Sequence, residues 1–116
     1  MASIEIAGED VVLKLGRMEA MEAAHIHGAI TAPLTAVQSV EGVEDAWPHL
    51  RGSKEVGTEV PGVNMIGTRS GDGFKDFCVV HKHAPAIIVT LDPQVSGFNR
   101  WVVTGDVNDV PAALKR

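Results

Sequence analysis

Short apolar segments separated by turn residues are the feature that most constrains how this chain can fold. Ile4 and Ile6 alternate with polar residues, and the segment AGED separates them from Val11, Leu13 and Leu15. Because side chains alternate between the two faces of a strand, this pattern predicts a β-hairpin. The sequence GDG between two further apolar runs predicts a second hairpin, since glycine adopts the positive φ of tight turns at little cost.

Three further segments complete the predicted order of elements. The continuously apolar PAIIVTL (85–91) is typical of a strand covered on both faces, and FNRWVVT (98–104) predicts the last strand. RMEAMEAAH (17–25) predicts a turn or two of helix, and DVPAALKR predicts a short C-terminal α-helix capped by Asp109. We therefore expect one mainly-β domain over residues 1–116, a strongly bent antiparallel sheet or partly open barrel of seven or eight strands.

Charge and cysteine content restrict the partners and the compartment. The chain of 116 residues has a formal net charge of −5, and its ten Lys and Arg residues are scattered. An acidic domain without a basic patch is repelled by phosphate backbones and anionic lipids, so nucleic acid and membrane are not expected partners. The N-terminus lacks the pattern of a signal peptide, and the lone Cys78 has no disulfide partner. These features predict a cytoplasmic protein.

Three stretches resemble the small bacterial pleckstrin-homology-like domains, many of which are uncharacterised. They are APLTAVQSVEGVED, GTEVPGVNMIGTRSG and IIVTLDPQVSGFNRWVVTGDVNDVPAAL, which follow one another in the order of that family. The resemblance implies a bent sheet or barrel that presents loops or strand edges to partners, and it brings no catalytic residues. Eukaryotic lipid-binding members carry clustered Lys and Arg between their first two strands. The corresponding AGED contains Glu9 and Asp10, so a phosphoinositide site is not expected.

Two His-x-His pairs suggest a possible metal site. His25 and His27 form one pair, and His81 and His83 form the other. Residues spaced by two on a strand point to the same face, where two imidazoles can share a metal ion. The alternative is that these are ordinary exposed strand histidines, because Ile26 and its neighbours claim the core face. The sequence leaves both interpretations open.

Other chemically active residues have structural interpretations. The stretch GTEVPG (57–62) has neither the spacing nor the lysine of a phosphate-binding loop, so its glycines are expected to serve turns. Cys78 and His81 are three residues apart and would point to opposite faces of a strand, so Cys78 is expected in the core. We identify no catalytic residues and expect no cofactor.

A non-enzymatic binding or protein-interaction module is the function that the sequence favours. An exposed strand edge can bind an extended partner through main-chain hydrogen bonds. We expect the binding surface on the 35–43 strand and the 44–62 loop, with Trp47 either a lid on the core or an exposed contact. The expected partner is a protein, and assembly of several copies through strand edges is a further hypothesis.

The alternative is a small-molecule carrier or enzyme with a pocket near residues 52–66. Such a pocket would need convergent polar groups, for which Thr58, Asn64 and Arg69 are the candidates.

Overall fold

The computed structural model describes residues 2–23 and 28–114. In these residues the chain forms nine β-strands, two short α-helices and four 3-10 turns. The strands are β1 (Ser3–Ala7), β2 (Asp10–Lys14), β3 (Ala29–Pro33), β4 (Val37–Val43), β5 (Ser53–Val60), β6 (Asn64–Gly71), β7 (Phe74–His81), β8 (Ala86–Leu91) and β9 (Arg100–Thr104). The helices are α1 (Arg17–Glu22) and α2 (Pro93–Ser96). None of the described helices is long and apolar enough to cross a membrane.

The strands form two sheets, and the prediction of a mainly-β fold is confirmed. The smaller sheet has the order β1-β2-β3, and the larger has the order β4-β8-β9-β7-β6-β5. All strand pairs are antiparallel except β7 and β9, which are parallel because the last strand inserts between β8 and β7. Within residues 2–23 and 28–114 the two sheets do not close into a barrel.

The main core lies between the two sheets. The small sheet contributes one set of buried apolar side chains, and strands β6 to β9 contribute the facing set. The buried residues include Ile4, Val11, Leu13, Ile30, Ile66, Phe77, Val79, Ile87, Val89, Trp101 and Val103. Burying each large apolar side chain is worth about 1.5–3 kcal/mol, so this layer supplies most of the hydrophobic stabilisation.

A second, smaller core covers the opposite face of the large sheet. The alternate residues of β7, β8 and β9, among them Cys78, Ile88 and Val102, pack there against Ala46 with Trp47 and Leu50 beside them. The three central strands are therefore apolar on both faces, which explains and confirms the expectation for PAIIVTL. The segment 44–52 is the lid of this second core.

Two local predictions were wrong. Residues 53–60, expected within a loop, form β5, so Gly57 lies inside a strand and not in a turn. The expected C-terminal α-helix is absent from the described residues, where the chain forms 3-10 turns at Val107–Asp109 and Ala112–Leu114. Pro111 separates the two turns and cannot donate the hydrogen bond that a continuous helix would require. Asp106, not Asp109, caps the first turn by accepting from the Asn108 N–H.

Gly57 and Gly67 face each other across β5 and β6 and allow unusually close approach of the two backbones. Their φ angles are 125° and 142°, and the two residues are direct partners in the ladder. A Cβ on Gly67 would lie 2.2 Å from the carbonyl oxygen of Val56. This explains why the glycine-rich stretch is needed: it builds a hairpin and not a ligand loop.

We expect Gly67→Ala to lower the free energy of unfolding by about 2 kcal/mol or more, since it adds a backbone clash to the strain of a positive φ. Urea unfolding measures the loss. Gly73→Ala is the matched control, because Gly73 also has a positive φ, of 80°, but open space at its Cβ. That control should lose about 1 kcal/mol. Equal losses in the two variants would refute the role of close packing.

Candidate binding site along the β4 edge

Strand β4 forms one edge of the large sheet. Its strand neighbour among the described residues is β8, and Ser39, Glu41 and Gly42 are exposed. The ladder with β8 shifts its register between Val37 and Ser39, as a β-bulge does. An edge strand presents N–H and C=O groups along its outer side, so β4 can accept an additional strand there.

The C-terminal turns form a wall beside this edge. Val107 packs against Gly42 so closely that a Cβ at position 42 would lie 2.8 Å from the Val107 side chain. On either side of this contact lies a hollow. The first hollow has a volume of about 370 Å³. It is lined by the apolar Val37, Val40, Val107 and Leu114 and by the polar Gln38, Ser39 and Asn108.

The second hollow has a volume of 280 Å³ and a different chemistry. It is lined by Gly42, Val43 and Glu44 from the strand end and by Asp106 and Val107 from the turn. Glu44 and Asp106 are exposed acids, and Glu41 and Asp109 lie on the same two segments. We call the groove formed by the two hollows the β4 groove. Polar and apolar side chains together line its Val37 end, and the acids Glu44 and Asp106 lie at its other end.

Trp47 serves as a lid on the second core, one of the two roles expected for it. Its indole N–H donates to the carbonyl oxygen of Lys82 at 2.8 Å, and its backbone N–H donates to Asp45 at 3.0 Å. Asp45 in turn contacts the His83 ring at 2.6 Å. The bonds from the Trp47 backbone and from His83 hold the pKa of Asp45 below its usual value. The lid is thus tied to the turn after β7.

A buried ion network ties the lid to the sheet. Asp76 on β7 is almost completely buried and accepts two hydrogen bonds from Arg51, at 2.8 and 3.0 Å. It also accepts from Arg100 on β9 at 2.9 and 3.0 Å, and Arg100 donates further to the His49 carbonyl. The bonds to Asp76 raise the pKa of Arg51. This network was missed from the sequence, because its members are far apart along the chain.

Arg69, a predicted binding residue, belongs to the same lid attachment. Its guanidinium donates to the carbonyl oxygens of Arg51 and Gly52 at 3.1 and 2.7 Å and to Glu59 at 2.6 Å. Five donors in a rigid fork suit this multiple bonding. Arg69 therefore holds the end of the lid against β6.

Thr58 and Asn64, the other predicted pocket residues, lie beside α1. Thr58 donates to the Glu22 carbonyl at 2.9 Å, and the Asn64 amide donates to the Glu22 carboxylate at 3.3 Å. The structure thus brings Thr58 and Asn64 together at α1, while Arg69 and Trp47 are bonded to other segments. Most of residues 52–66, near which a pocket was predicted, lie in strands β5 and β6.

The histidines of the predicted metal site bind acidic partners on separate segments. His81 Nε2 lies 2.6 Å from Glu19 of α1, and His83 Nδ1 lies 2.6 Å from Asp45 in the lid. His25 and His27 lie outside the described residues. In the part of the chain that is described, no group of three or more His, Cys, Asp or Glu side chains could hold a metal ion.

Glu19 is the buried carboxylate that anchors α1. Burial raises its pKa, but the Gly16 N–H, which donates to it at 2.8 Å, and the His81 ring outweigh this effect. The pKa of Glu19 consequently lies below its usual value. Cys78, in the second core as predicted, shows the opposite behaviour, because burial raises the pKa of its thiol to about 12. A thiol in that state is not a nucleophile at neutral pH.

Comparisons with known proteins identify no relative for this chain. No family model, curated protein or solved structure matches it. The resemblance to pleckstrin-homology-like domains therefore stays a prediction, and the function must be inferred from the geometry.

We expect Asp76→Asn to lower the free energy of unfolding by about 3 kcal/mol, since it leaves two guanidinium groups without their buried anion. Urea unfolding followed by Trp fluorescence measures this loss. Glu5→Gln is the control: Glu5 pairs with Lys14 at 3.2 Å with both side chains about half exposed. Such exposed pairs contribute little to stability, because solvent screens them. A loss no larger for Asp76→Asn than for Glu5→Gln would contradict the role of the network.

The lowered pKa of Glu19 predicts an acid-dependent stability. A carboxyl whose pKa is lower in the folded than in the unfolded state stabilises the fold at pH values above its unfolded-state pKa, which is near 4.3. That stabilisation is lost as the pH falls through the pKa of the folded state. Glu19→Gln should therefore be less stable than the natural protein at pH 7, and the difference should shrink towards pH 3 in urea unfolding. Glu9→Gln removes an exposed acid as control, and a difference independent of pH would refute the prediction.

Proposed function

We propose that this protein is a non-enzymatic protein-interaction module that binds an extended segment of a partner by adding it as a strand to β4. The β4 groove is the observation that carries the proposal. In strand addition, main-chain hydrogen bonds supply affinity and hollows for alternate side chains supply specificity. The groove offers an open strand edge and two hollows beside it.

The opposite edge of the large sheet is less suited to a partner. Strand β5 carries the exposed charges of Lys54 and Glu55, contains a register shift at this point, and includes Gly57 with its unusual φ. Charges and bulges at an edge are the features by which proteins prevent unwanted strand pairing. Glu41 is the one charged residue within β4. Strand β4 has a register shift of its own between Val37 and Ser39, but it carries fewer charges than β5, so the β4 edge is the less protected of the two.

The proposal keeps the predicted pleckstrin-homology-like scaffold and a bacterial, cytoplasmic setting. The mainly-β architecture supports the scaffold alone, and 3-10 turns stand where the C-terminal helix was expected. The expected binding surface included the 35–43 strand, and β4 lies next to these turns. The lid 44–52 and strand β5 replace the expected 44–62 loop. From the lid, Glu44 contributes to the groove.

Selection from a library of displayed random nonapeptides, followed by amide hydrogen exchange, tests the proposal. We expect selected peptides to slow exchange at β4 amides. N-methylation of alternate peptide bonds should abolish binding, because it removes the hydrogen bonds of an added strand. Selected peptides that protect another surface and leave β4 unchanged, or a selection that yields no binder, would overturn the proposal.

A bulky substitution in the groove distinguishes peptide binding at β4 from peptide binding at another surface. Asn108→Arg adds a long side chain at an exposed position of the first hollow, and we expect it to weaken binding of the selected peptides at least tenfold. Gln94→Arg, at an exposed position of α2, makes a similar change away from the groove and should bind as the natural protein does. Equal binding by both variants would count against the groove.

A further inference from the structure

A cleft other than the β4 groove opens at one end of the main core. It lies between the start of β1 and the stretch of chain that runs from the end of β9 to the C-terminal turns. Its volume is about 310 Å³. The apolar residues that line it all belong to the main core or pack against it: Ala2, Ile4, Ile87, Val103 and Val110. The cleft therefore continues the main core to the surface.

The wall of the cleft is mostly apolar, and two acids lie at its opening. The branched apolar residues that line it are at most 7% exposed, whereas Asp106 and Asp109 are exposed. Because both sets line the same cleft, the buried side chains form its interior and the acids form part of its rim. Among the described residues that line it, none is Lys, Arg or His. The charge at the opening is therefore negative.

The polar groups that line the cleft differ in how far the fold already uses them. The Ser3 hydroxyl donates to a side chain of β1, and the Thr104 hydroxyl accepts a backbone N–H of β7. Asp106 accepts the Asn108 N–H through one carboxylate oxygen, at 2.8 Å. The Asp109 carboxylate has no hydrogen-bond or ion-pair partner within residues 2–23 and 28–114. The two carboxylates thus keep oxygens that can accept hydrogen bonds from a ligand.

The size and charge of the cleft restrict the kind of ligand that it suits. Ligand pockets commonly have volumes of about 300–1,000 Å³, and a cavity of about 150 Å³ is enough to hold benzene. A cleft of about 310 Å³ can therefore hold one aromatic ring with a short side chain. The ring gains by burying apolar surface, and a positive group beside the carboxylates gains charge-assisted hydrogen bonds. The same carboxylates, on a chain of net charge −5, disfavour an anion.

We propose that this cleft is a binding site for a small amine with a compact apolar body. The apolar body packs against Ile87 and Val103, and the ammonium group lies at the opening beside Asp106 and Asp109. The cleft shares Gly105 and Asp106 with the second hollow of the β4 groove and no residue with the first. Binding here therefore goes beyond strand addition and does not depend on it.

Titration of the isotopically labelled full chain with four small probes tests the proposal by NMR. 2-Phenylethylamine carries both parts of the expected ligand, 2-phenylethanol lacks the charge, phenylacetate reverses it, and ethylamine lacks the ring. We expect 2-phenylethylamine to shift the amides of residues 2–4 and 103–105 with a Kd of about 1 mM or lower. It should bind at least about threefold more tightly than each of the other probes, and less tightly as salt is added.

Two double variants test the role of the acids at the opening. Asp106→Asn with Asp109→Asn removes both charges and keeps an oxygen that can accept the backbone N–H of the turn. The amine should then bind no more tightly than the alcohol. Glu9→Gln with Asp72→Asn removes the same total charge from exposed residues outside the cleft and should keep the preference. A preference lost equally in both double variants would reduce it to the overall charge and overturn the proposal.

A larger side chain inside the cleft tests its location. Ala2 lines the cleft and packs against the core just before β1, so Ala2→Phe should fill part of the space and weaken binding of 2-phenylethylamine at least about tenfold. Ala7→Phe, at the exposed end of β1, is the control and should bind as the natural protein does. Unchanged binding by Ala2→Phe, equal binding of all four probes, or no amide shift with any probe would each overturn the proposal. None of these results bears on strand addition, which the library selection tests.

Discussion

The buried carboxylate of Asp76 is the interaction on which the position of the lid, and so the cover of the second core, depends. It joins neighbouring strands β7 and β9 to the lid through Arg100 and Arg51. Without that attachment the apolar outer face of the central strands would be open to water. An ion pair of this kind is costly to desolvate, so it gives little net stability over an apolar alternative. Its value lies in fixing where the lid sits.

The sequence was sufficient to predict most of the local secondary-structure elements. The first hairpin, the hairpin of β6 and β7 and the short helix α1 were all predicted from the spacing of apolar residues and from turn residues. The burial of β8 on both faces was predictable from its continuous apolar run. Strand β5 was not predicted, because Lys54, Glu55 and Gly57 are residues that disfavour strands, and they form one only by pairing with β6. The short C-terminal turns likewise depend on packing against β4.

The binding site was predictable in part. The 35–43 strand was predicted to be part of the binding surface. Its place at the sheet edge, however, follows from the insertion of β9 elsewhere in the sheet. Hollows between β4 and residue 107 arise from elements more than 60 residues apart, which no local pattern reports. Thr58 and Arg69 were predicted to bind a ligand because the sequence does not show their structural partners. These partners, a carbonyl of α1 and carbonyls of the lid, are distant from them in the sequence.

The insertion of β9 between β7 and β8 also orders the assembly of the protein. Strands β7 and β8 follow one another along the chain, yet neither pairs with the other in the sheet. Until residues 100–104 are available, each has an unsatisfied inner edge, and the large sheet exists as two separate pieces. Synthesis proceeds from the N-terminus, so the nascent chain must hold these edges apart from other strands until its closing segment emerges. Chaperone demand should therefore be greatest just before that moment.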